Sequence, residues 1–297
     1  MNRFATIVSI SAKTLALAAL TLAAGPALAQ GIFPDKNLET AVRREVFEKR
    51  MKEDPIVEAD VPNISQVVGK GKDGKKVANL AGLEKCRSVA LIDLDNNEII
   101  DLSSLKDLKN IQSLSLKGNK IKDLSPLAGL TNLQYLQLEN NEVEDLSPLS
   151  GLTNMRSLYL TNNKIKDVTP IAKLTKLWSL YLGGNQITDI KPLAGLKGID
   201  TIDLARNGLA DISPLADLQP SKFLFLEKNQ ITDLSVLVAM AKKDAEGDKA
   251  EKRFAPFWNV FLFGNPLSDA AKGGQVAELQ KYSVPSRIQL DQAKGRQ

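Results

Sequence analysis

The residues of this chain that could most visibly carry chemistry are aspartates that recur every 22 positions. Such a row could hold calcium ions, or each carboxylate could bond backbone N–H groups of its own turn and cap the short helical segment that follows. A calcium ion takes about six to eight oxygen ligands. Because one acid per turn supplies too few oxygens, we favour capping over a calcium ladder. The aspartates are Asp101, Asp123, Asp145, Asp167, Asp189, Asp211 and Asp233.

Catalytic groups other than carboxylates are scarce. The 297 residues include no histidine and one cysteine, which removes the usual general base, the usual zinc ligand and every nucleophile that a histidine activates. A pair of carboxylates could still act, but Asp93 and Asp203 stand five repeats apart. At the spacing of neighbouring strands they would be ~25 Å apart, too far for a glycosidase pair. We therefore expect no enzyme activity, no cofactor and no metal site.

Aromatic side chains are few, yet they gather at strand positions that the repeat pattern leaves outside the core. Aromatic residues make up 5% of the chain, and three of the four tyrosines and both tryptophans occupy such positions. Exposed rings in a cluster are typical of contact surfaces. The alternative is that the rings only fill the strand surface, with the phenylalanines covered by the C-terminal cap or by an insertion. The predicted partner-binding residues are Tyr135, Tyr159, Trp178, Tyr181, Phe223, Phe225, Trp258 and Phe261.

A repeated frame around an asparagine must position all of these side chains. Successive asparagines are 22 residues apart, except that the last follows after 36. The frame reads L-x-x-L-x-L-x-x-N, which is the leucine-rich-repeat pattern. Leu136 and Leu138 alternate as in a strand with one buried face, and the asparagine amide can bond backbone groups where the chain turns inward. The predicted structural ladder is Asn97, Asn119, Asn141, Asn163, Asn185, Asn207, Asn229 and Asn265.

One such unit cannot bury its apolar face alone, so the units must stack. The predicted fold is an α/β solenoid: a right-handed, curved leucine-rich-repeat array with a parallel β-sheet on its concave side and 3₁₀ or short helical segments on its convex side. We expect the array to span residues 77–267, with Cys86 as a buried core residue rather than a reactive thiol. A charged, helix-favouring insertion at about 238–253 is expected on the outer face, exposed to solvent.

The first residues resemble an export signal. An apolar run at residues 14–24 precedes Ala27-Leu28-Ala29, which predicts a signal peptide over residues 1–29, cleaved near Ala29. The run is shorter than the ~20 residues that span a bilayer. We therefore expect an exported protein, secreted or periplasmic, with no membrane span.

The segments that flank the array are expected to cap it. Residues 30–76 should form a helical N-terminal cap and connector, with Asp35 at the start of a helix and a second short helix near residues 58–68. The lysine- and glycine-rich stretch at residues 69–76 is expected to be a solvated loop, although such a stretch can also bind phosphate. Residues 268–297 should form a C-terminal cap and tail, with a helix around residues 275–281.

These residues resemble a known family. Ile32-Phe33-Pro34-Asp35-Lys36-Asn37-Leu38, followed by Ala41-Val42-Arg43, resembles the helical N-terminal cap of internalin-like leucine-rich-repeat proteins. The unit N-x-I-x-D-[LI]-S-P-L is also similar to theirs, and residues 119–127 match it throughout. The resemblance implies a capped solenoid over nearly all of the chain after the signal. Internalins of pathogens bind host-cell receptors with the concave face, but this sequence shows no immunoglobulin-like tail domain and no wall-sorting signal, so we do not extend host adhesion to it.

The functional expectation is binding rather than catalysis. Lys and Arg together number 39 against 35 Asp and Glu, and the excess forms no basic stripe of the kind that nucleic-acid binding requires. We expect a monomer that recognises a protein partner through its concave aromatic face. The alternative is a protein that binds a glycan of the envelope or the extracellular space.

Overall fold

The structure is a computed structural model that describes residues 31–72, 74–248, 258–282 and 287–290. The predicted signal segment and the end of the predicted insertion lie outside these residues. Within them, one parallel sheet of ten strands runs in sequence order. The strands are β1 (Gln66–Val68), β2 (Leu91–Asp93), β3 (Ser113–Ser115), β4 (Tyr135–Gln137), β5 (Ser157–Tyr159), β6 (Ser179–Tyr181), β7 (Thr201–Asp203), β8 (Phe223–Phe225), β9 (Asn259–Phe261) and β10 (Ile288–Gln289).

Each three-residue strand buries its middle side chain and turns the two flanking side chains to the other face of the sheet. In β4, Leu136 is fully buried, while Tyr135 and Gln137 remain accessible. The alternation follows from the two-residue period of a strand. Strands pair in register, with Leu136 opposite Leu158, so the apolar residues form one continuous core. We call the other face of the sheet the concave face, since that is its place in a leucine-rich-repeat solenoid.

Short 3₁₀ helices return the chain to the next strand on the other side of the core. In four of these segments a proline occupies the first or second position, where its fixed φ suits the start of a helical turn. The prediction of 3₁₀ segments is confirmed. Between the strands they are Leu83–Lys85, Ser103–Leu105, Ser125–Leu127, Ser147–Leu149, Thr169–Ile171 and Lys191–Gly195, and two more, Phe47–Lys49 and Glu58–Asp60, precede β1.

The recurring asparagines link neighbouring repeats through the backbone. The Nδ2 of Asn163 donates to the carbonyl oxygens of Leu138 and Leu160 at 2.9 and 3.0 Å, and its Oδ1 accepts from the N–H of Val143 at 3.0 Å. Leu138 and Val143 belong to the preceding repeat. At the start of the array, Asn97 donates to Gly69 instead. Buried backbone groups that would otherwise lack partners are thereby satisfied.

The residue before each ladder asparagine has a left-handed backbone. The position is occupied by asparagine or glycine in six repeats and by Arg206 and Lys228 in the other two, each of these two with a φ of 55°. Glycine and asparagine adopt this conformation more readily than other residues do. The left-handed residue turns the chain so that the asparagine side chain can enter the core.

The N-terminal cap is built from helix α1 (Lys36–Arg43) and β1. The Oδ1 of Asp35 accepts hydrogen bonds from the N–H groups of Asn37 and Leu38 at 2.9 and 3.1 Å, so the predicted N-cap is confirmed. The predicted second helix near residues 58–68 is wrong. Only a 3₁₀ turn forms there, and the end of the segment is β1, because Val67 pairs with Ile92 and covers the open edge of the sheet.

Helices replace the 3₁₀ turns toward the C-terminal end. They are α2 (Leu215–Leu218), α3 (Ser235–Glu246) and α4 (Val276–Tyr282), the last preceded by a π-helical segment, Ala271–Gln275. Helix α3 contains the start of the predicted insertion and is helical as expected. It is not wholly exposed, however, because Leu237, Met240 and Ala241 pack into the core. The position of the insertion in the repeat explains this, since α3 occupies the place of a 3₁₀ turn whose inner side is always apolar.

The single cysteine is part of the core. Cys86 is fully buried, and burial, aided by the charge of Glu84, raises the pKa of its thiol to about 12. A neutral, inaccessible thiol is a poor nucleophile, so the structural interpretation of Cys86 is confirmed.

Candidate functional site

The concave face carries its side chains in two rows, one from the first and one from the third residue of each strand. In the first row Tyr135 lies opposite Ser157, and in the second Tyr159 lies opposite Tyr181. From β2 to β9 the first row is Leu91, Ser113, Tyr135, Ser157, Ser179, Thr201, Phe223 and Asn259, and the second is Asp93, Ser115, Gln137, Tyr159, Tyr181, Asp203, Phe225 and Phe261.

Several predicted binding residues expose large apolar surface on or beside these rows. Trp178, which precedes β6, is 45% exposed, and Tyr135 and Phe223 are each 39% exposed. Tyr159 and Tyr181 are half-buried. Large rings are costly to leave in water, and clusters of this kind are typical of contact surfaces, so these residues are the candidate site. We call Tyr135, Tyr159, Trp178, Tyr181 and Phe223 the aromatic patch.

The centre of the aromatic patch is a pair of stacked rings. The centroids of Tyr159 and Tyr181 are 4.7 Å apart and their planes differ by 10°, close to the strand spacing that sets them side by side. Trp178 is also held, because its Nε1 donates to the hydroxyl oxygen of Ser157 at 2.6 Å. Rings fixed in this way lose little rotamer freedom when a partner binds.

Three phenylalanines form a second stack. The centroids of Phe223 and Phe225 are 6.0 Å apart, and those of Phe225 and Phe261 are 4.5 Å apart. Phe225 is only 5% exposed because it lies between the other two rings. The expectation that Phe225 contacts a partner is therefore corrected. Phe225 packs against Phe223, and Phe223 is the ring that remains exposed.

Trp258 also needs correction, since it was expected at an exposed strand edge equivalent to that of Trp178. Its side chain is fully buried and belongs to the hydrophobic core. Trp258 follows the insertion rather than a regular turn, so its distance from Asn265 in the sequence does not fix the direction of its side chain. Turning the indole inward removes a large apolar surface from water. Trp258 is therefore not part of a binding surface.

The first strands carry a polar network in place of rings. Lys70 lies 2.9 Å from Asp93 and 3.5 Å from Asp95, measured from Nζ to Oδ2. The hydroxyl of Ser115 is 2.6 Å from Oδ1 of Asp95 and 2.7 Å from Oε1 of Gln137. The carboxylates raise the pKa of Lys70 above its usual range. Sequence reasoning missed this network, because Asp93, Ser115 and Gln137 occupy the same register as the stacked tyrosines and differ from them only in residue type.

A half-buried glutamate, Glu139, lies close enough to the polar network for the charge of Asp95 to act on it. Glu139 follows β4, and its Oε2 is buried with no hydrogen-bond partner among the described residues. Burial raises the pKa of this carboxyl above the usual value near 4.5, against a smaller lowering by its own backbone N–H and by Lys117. A carboxylate in this state favours a cation or a hydrogen-bond donor supplied from outside.

The recurring aspartates lie on the convex side and serve the turns. Each accepts a hydrogen bond from the backbone N–H two residues later, at 2.8 Å for Asp101 and Asp145 and 3.3 Å for Asp233; the other four bonds measure 2.8 Å. Hydrogen bonds from Ser103 lower the pKa of Asp101, and those from Ser147 lower the pKa of Asp145. The interpretation that each aspartate bonds the backbone of its own turn is confirmed. No group of three or more acidic or cysteine side chains that could hold a metal ion occurs among the described residues.

Comparison with known proteins agrees with this architecture. A family model described as leucine-rich repeats in two copies matches residues 131–173 and 174–217. A comparison with curated proteins gives no significant match. Within the part of the chain that the structure describes, no helix combines the length and the apolar character needed to cross a membrane.

Solved structures of bacterial proteins are similar over most of the chain. Internalin C2 from Listeria monocytogenes is 33% identical, with a TM-score of 0.64, over 73% of this chain and 96% of that one. An internalin F from the same species is 34% identical, with a TM-score of 0.63, over 85% of this chain and 76% of that one. The functional domain of InlJ, also from Listeria monocytogenes, includes a cysteine ladder; it is 21% identical with a TM-score of 0.60 over 85% of this chain and 55% of that one, which shows the fold alone. The identity and coverage of the first two show that this chain belongs to the internalin-like family of leucine-rich-repeat proteins.

Proposed function

We propose that this chain is an exported binding module that recognises a protein partner through the aromatic patch on its concave face. The observation that carries the proposal is the exposure of Tyr135, Trp178 and Phe223 around the fixed Tyr159–Tyr181 stack. Tyrosine and tryptophan are the residues most enriched among those that dominate binding energy in protein interfaces. Solenoids of this kind offer an extended concave surface for such contacts.

The geometry of the stack favours a protein over a glycan. A sugar ring packs against the free face of an aromatic ring, but Tyr159 and Tyr181 cover one face of each other. The stacked pair presents ring edges and hydroxyl groups, which can contact the side chains and backbone carbonyls of a protein partner. Trp178 is the exposed ring that could still receive a sugar, and this keeps glycan binding as the second candidate.

Export is the part of the proposal that rests on sequence pattern. The apolar run and the Ala27-Leu28-Ala29 site support a signal over residues 1–29. The N-terminal cap and connector at residues 30–76, the array at residues 77–267 and the C-terminal cap and tail at residues 268–297 would then form the exported protein, secreted or periplasmic and monomeric. Mass spectrometry of the protein recovered from its host should give Gln30 as the first residue, and a first residue at Met1 would refute the cleavage.

The binding site is tested by capture from the native envelope and culture medium. The variant Tyr159→Ala, Trp178→Ala, Tyr181→Ala should lose the partner that the unaltered chain retains, with at least about a hundredfold weaker binding, because interface rings of this kind commonly contribute more than 2 kcal/mol each. A matched control replaces three exposed apolar residues outside the sheet, Phe47, Met51 and Ile100, by alanine.

Three results would decide between the candidates. Loss of a protein partner in the patch variant and retention in the control would support the proposal. Retention in both variants would refute the site. Binding on a glycan array that depends on Trp178, with no protein captured, would favour the second candidate.

Catalysis is not proposed, because the residue types that most often serve as general base or activated nucleophile are missing from the sequence or buried. The sequence has no histidine and its one cysteine is buried. Asp93 lies in the polar network and Asp203 lies five strands further along the sheet. The family fold is one that presents surfaces to partners.

A further inference from the structure

A basic pocket lies between helix α1 and four connector residues, Gly69, Lys70, Lys72 and Lys75. Its volume is about 460 Å³, and it shares no residue with the aromatic patch. The described residues that line it include no acidic side chain. Four of them are cationic: Arg44, Lys70, Lys72 and Lys75.

The glycines of the connector have a packing role, which differs from the role of the lysines. A Cβ on Gly71 would lie 1.9 Å from the carbonyl oxygen of Asn96, and one on Gly69 would lie 2.8 Å from the Cβ of Ala41. Only glycine permits such close approach. The connector is therefore laid tightly against the first repeat and against α1, and this fixes where its lysines emerge.

Backbone hydrogen bonds pair two of the lysines that line the pocket. The N–H of Lys75 donates to the carbonyl oxygen of Lys72 at 2.9 Å, and the reverse bond measures 3.4 Å. The side chains of Arg44, Lys72 and Lys75 form no ion pair with another described residue, whereas Lys70 already has Asp93 and Asp95. Like charges held close together repel, and an anion between them relieves that repulsion.

We propose that this pocket binds a phosphate group through Arg44, Lys72 and Lys75. A phosphate carries close to two negative charges at neutral pH and presents three strong acceptor oxygens, which matches three cations on a fixed frame. Arg44 can donate two parallel hydrogen bonds to two of the oxygens. The group is either an inorganic phosphate or sugar phosphate in solution, which has this charge, or the phosphodiester of an anionic phospholipid headgroup, which carries one negative charge and two free oxygens.

The proposal is tested with inorganic phosphate and with vesicles, using the full chain as its host processes it. Phosphate is titrated at constant ionic strength against chloride, and binding is followed by calorimetry and by the NMR amide signals of Gly69, Gly71 and Gly74. In parallel, sedimentation with vesicles of phosphatidylcholine alone is compared with vesicles containing phosphatidylglycerol. We expect shifts confined to the connector and binding in at least one of the two arms.

Two triple variants distinguish the loss of the pocket's own cations from a general loss of positive charge. Arg44→Gln, Lys72→Gln, Lys75→Gln should weaken binding by at least about tenfold, as the loss of charge-assisted hydrogen bonds predicts. The control Lys106→Gln, Lys166→Gln, Lys173→Gln removes the same charge from other exposed positions and should change binding by less than about twofold, the effect of screened charge alone.

Each outcome has a fixed meaning. Saturable binding of phosphate alone identifies a soluble source, and binding only to phosphatidylglycerol vesicles identifies a lipid headgroup; both support the proposal if the pocket variant loses the binding. Equal losses in the two triple variants overturn it, as does a lack of binding in both arms. Partner capture through the aromatic patch is unaffected by these substitutions, so failure here leaves the proposed function standing.

Discussion

The two halves of the concave face are built on the same repeat and use it differently. In the N-terminal half, Lys70, Asp93, Asp95 and Ser115 bond one another. In the C-terminal half, rings stack on rings and leave large apolar surfaces in water. The core beneath is equally leucine-rich in both halves. Because the repeat fixes only the buried positions, the outward positions can differ between the halves while the fold stays the same, and the proposed binding region is the half that exposes its rings.

The strongest test of this comparison is to damage the scaffold equally in both halves. Asn119→Ala and Asn163→Ala each remove three hydrogen bonds to buried backbone groups. We expect each substitution to lower the free energy of unfolding by about 3 kcal/mol, since every orphaned group costs roughly 1 kcal/mol or more. Urea unfolding measures both values. A difference above about 1 kcal/mol would show that the halves do not share one scaffold.

The polar network of the N-terminal half should contribute to the free energy of unfolding through the hydroxyl of Ser115. Ser115→Ala leaves Asp95 and Gln137 without the buried hydroxyl that both contact, and we expect a loss of about 1.5 kcal/mol. The control is Ser113→Ala on the same strand, whose hydroxyl makes no hydrogen bond with a described residue; it should cost less than about 0.5 kcal/mol. Equal effects would mean that the network is not structural.

The two stacked tyrosines should be energetically coupled to each other and only weakly to the other rings of the patch. A double-mutant cycle of Tyr159→Ala and Tyr181→Ala should give a coupling free energy of about 1 kcal/mol, as stacked pairs do. Tyr135 and Tyr181 lie two strands apart, and the corresponding cycle should give a coupling near zero. Thermal unfolding of the six proteins provides the data. Coupling of similar size in both cycles would argue that the patch moves as a unit.

The smallest expected effect concerns Glu139, at the boundary between the halves. Its pKa is raised in the folded protein, so the folded state holds the proton more tightly, and stability falls as pH rises through the interval above about 4.5. Glu139→Gln should therefore be more stable than the unaltered protein at pH 7, and the two should converge below the usual carboxyl pKa. We expect a difference below about 1 kcal/mol because the side chain is partly exposed and screened. A stability difference independent of pH would refute the assignment.

The sequence was sufficient to predict those features that every repeat needs. Leu136, Asn141 and Asp145 each recur at one spacing, and burial, backbone bonding and turn capping are local requirements that only a few residue types meet. The family resemblance identified the cap from Asp35 onward for the same reason. The segment that forms β1 is not part of the repeat, so the repeat spacing did not indicate its structure. Val67 and Val68 were therefore assigned to a helix, although they pair with β2.

Side-chain direction was the other limit. Trp178 and Trp258 stand at the same distance from a ladder asparagine, yet one is 45% exposed and the other fully buried. The insertion that precedes Trp258 interrupts the repeat in the sequence, and periodicity contains no information about the direction of a side chain after such an interruption. The left-handed position could have been predicted from the sequence, because asparagine or glycine precedes six of the eight ladder asparagines. Arg206 and Lys228, which occupy this position in the other two repeats, made the pattern harder to recognise.

The asparagine ladder has a mechanical consequence. Each rung joins backbone groups of adjacent repeats, so a pulling force applied to the two ends of the array is resisted by one repeat after another rather than by the whole core at once. Detaching one repeat of 22 residues frees about 75 Å of extended chain at ~3.4 Å per residue. The rung at Asn265 spans 36 residues, so its release frees about 120 Å of chain. A force–extension trace of this protein would therefore carry a regular series of equal steps with a single long one that marks the insertion.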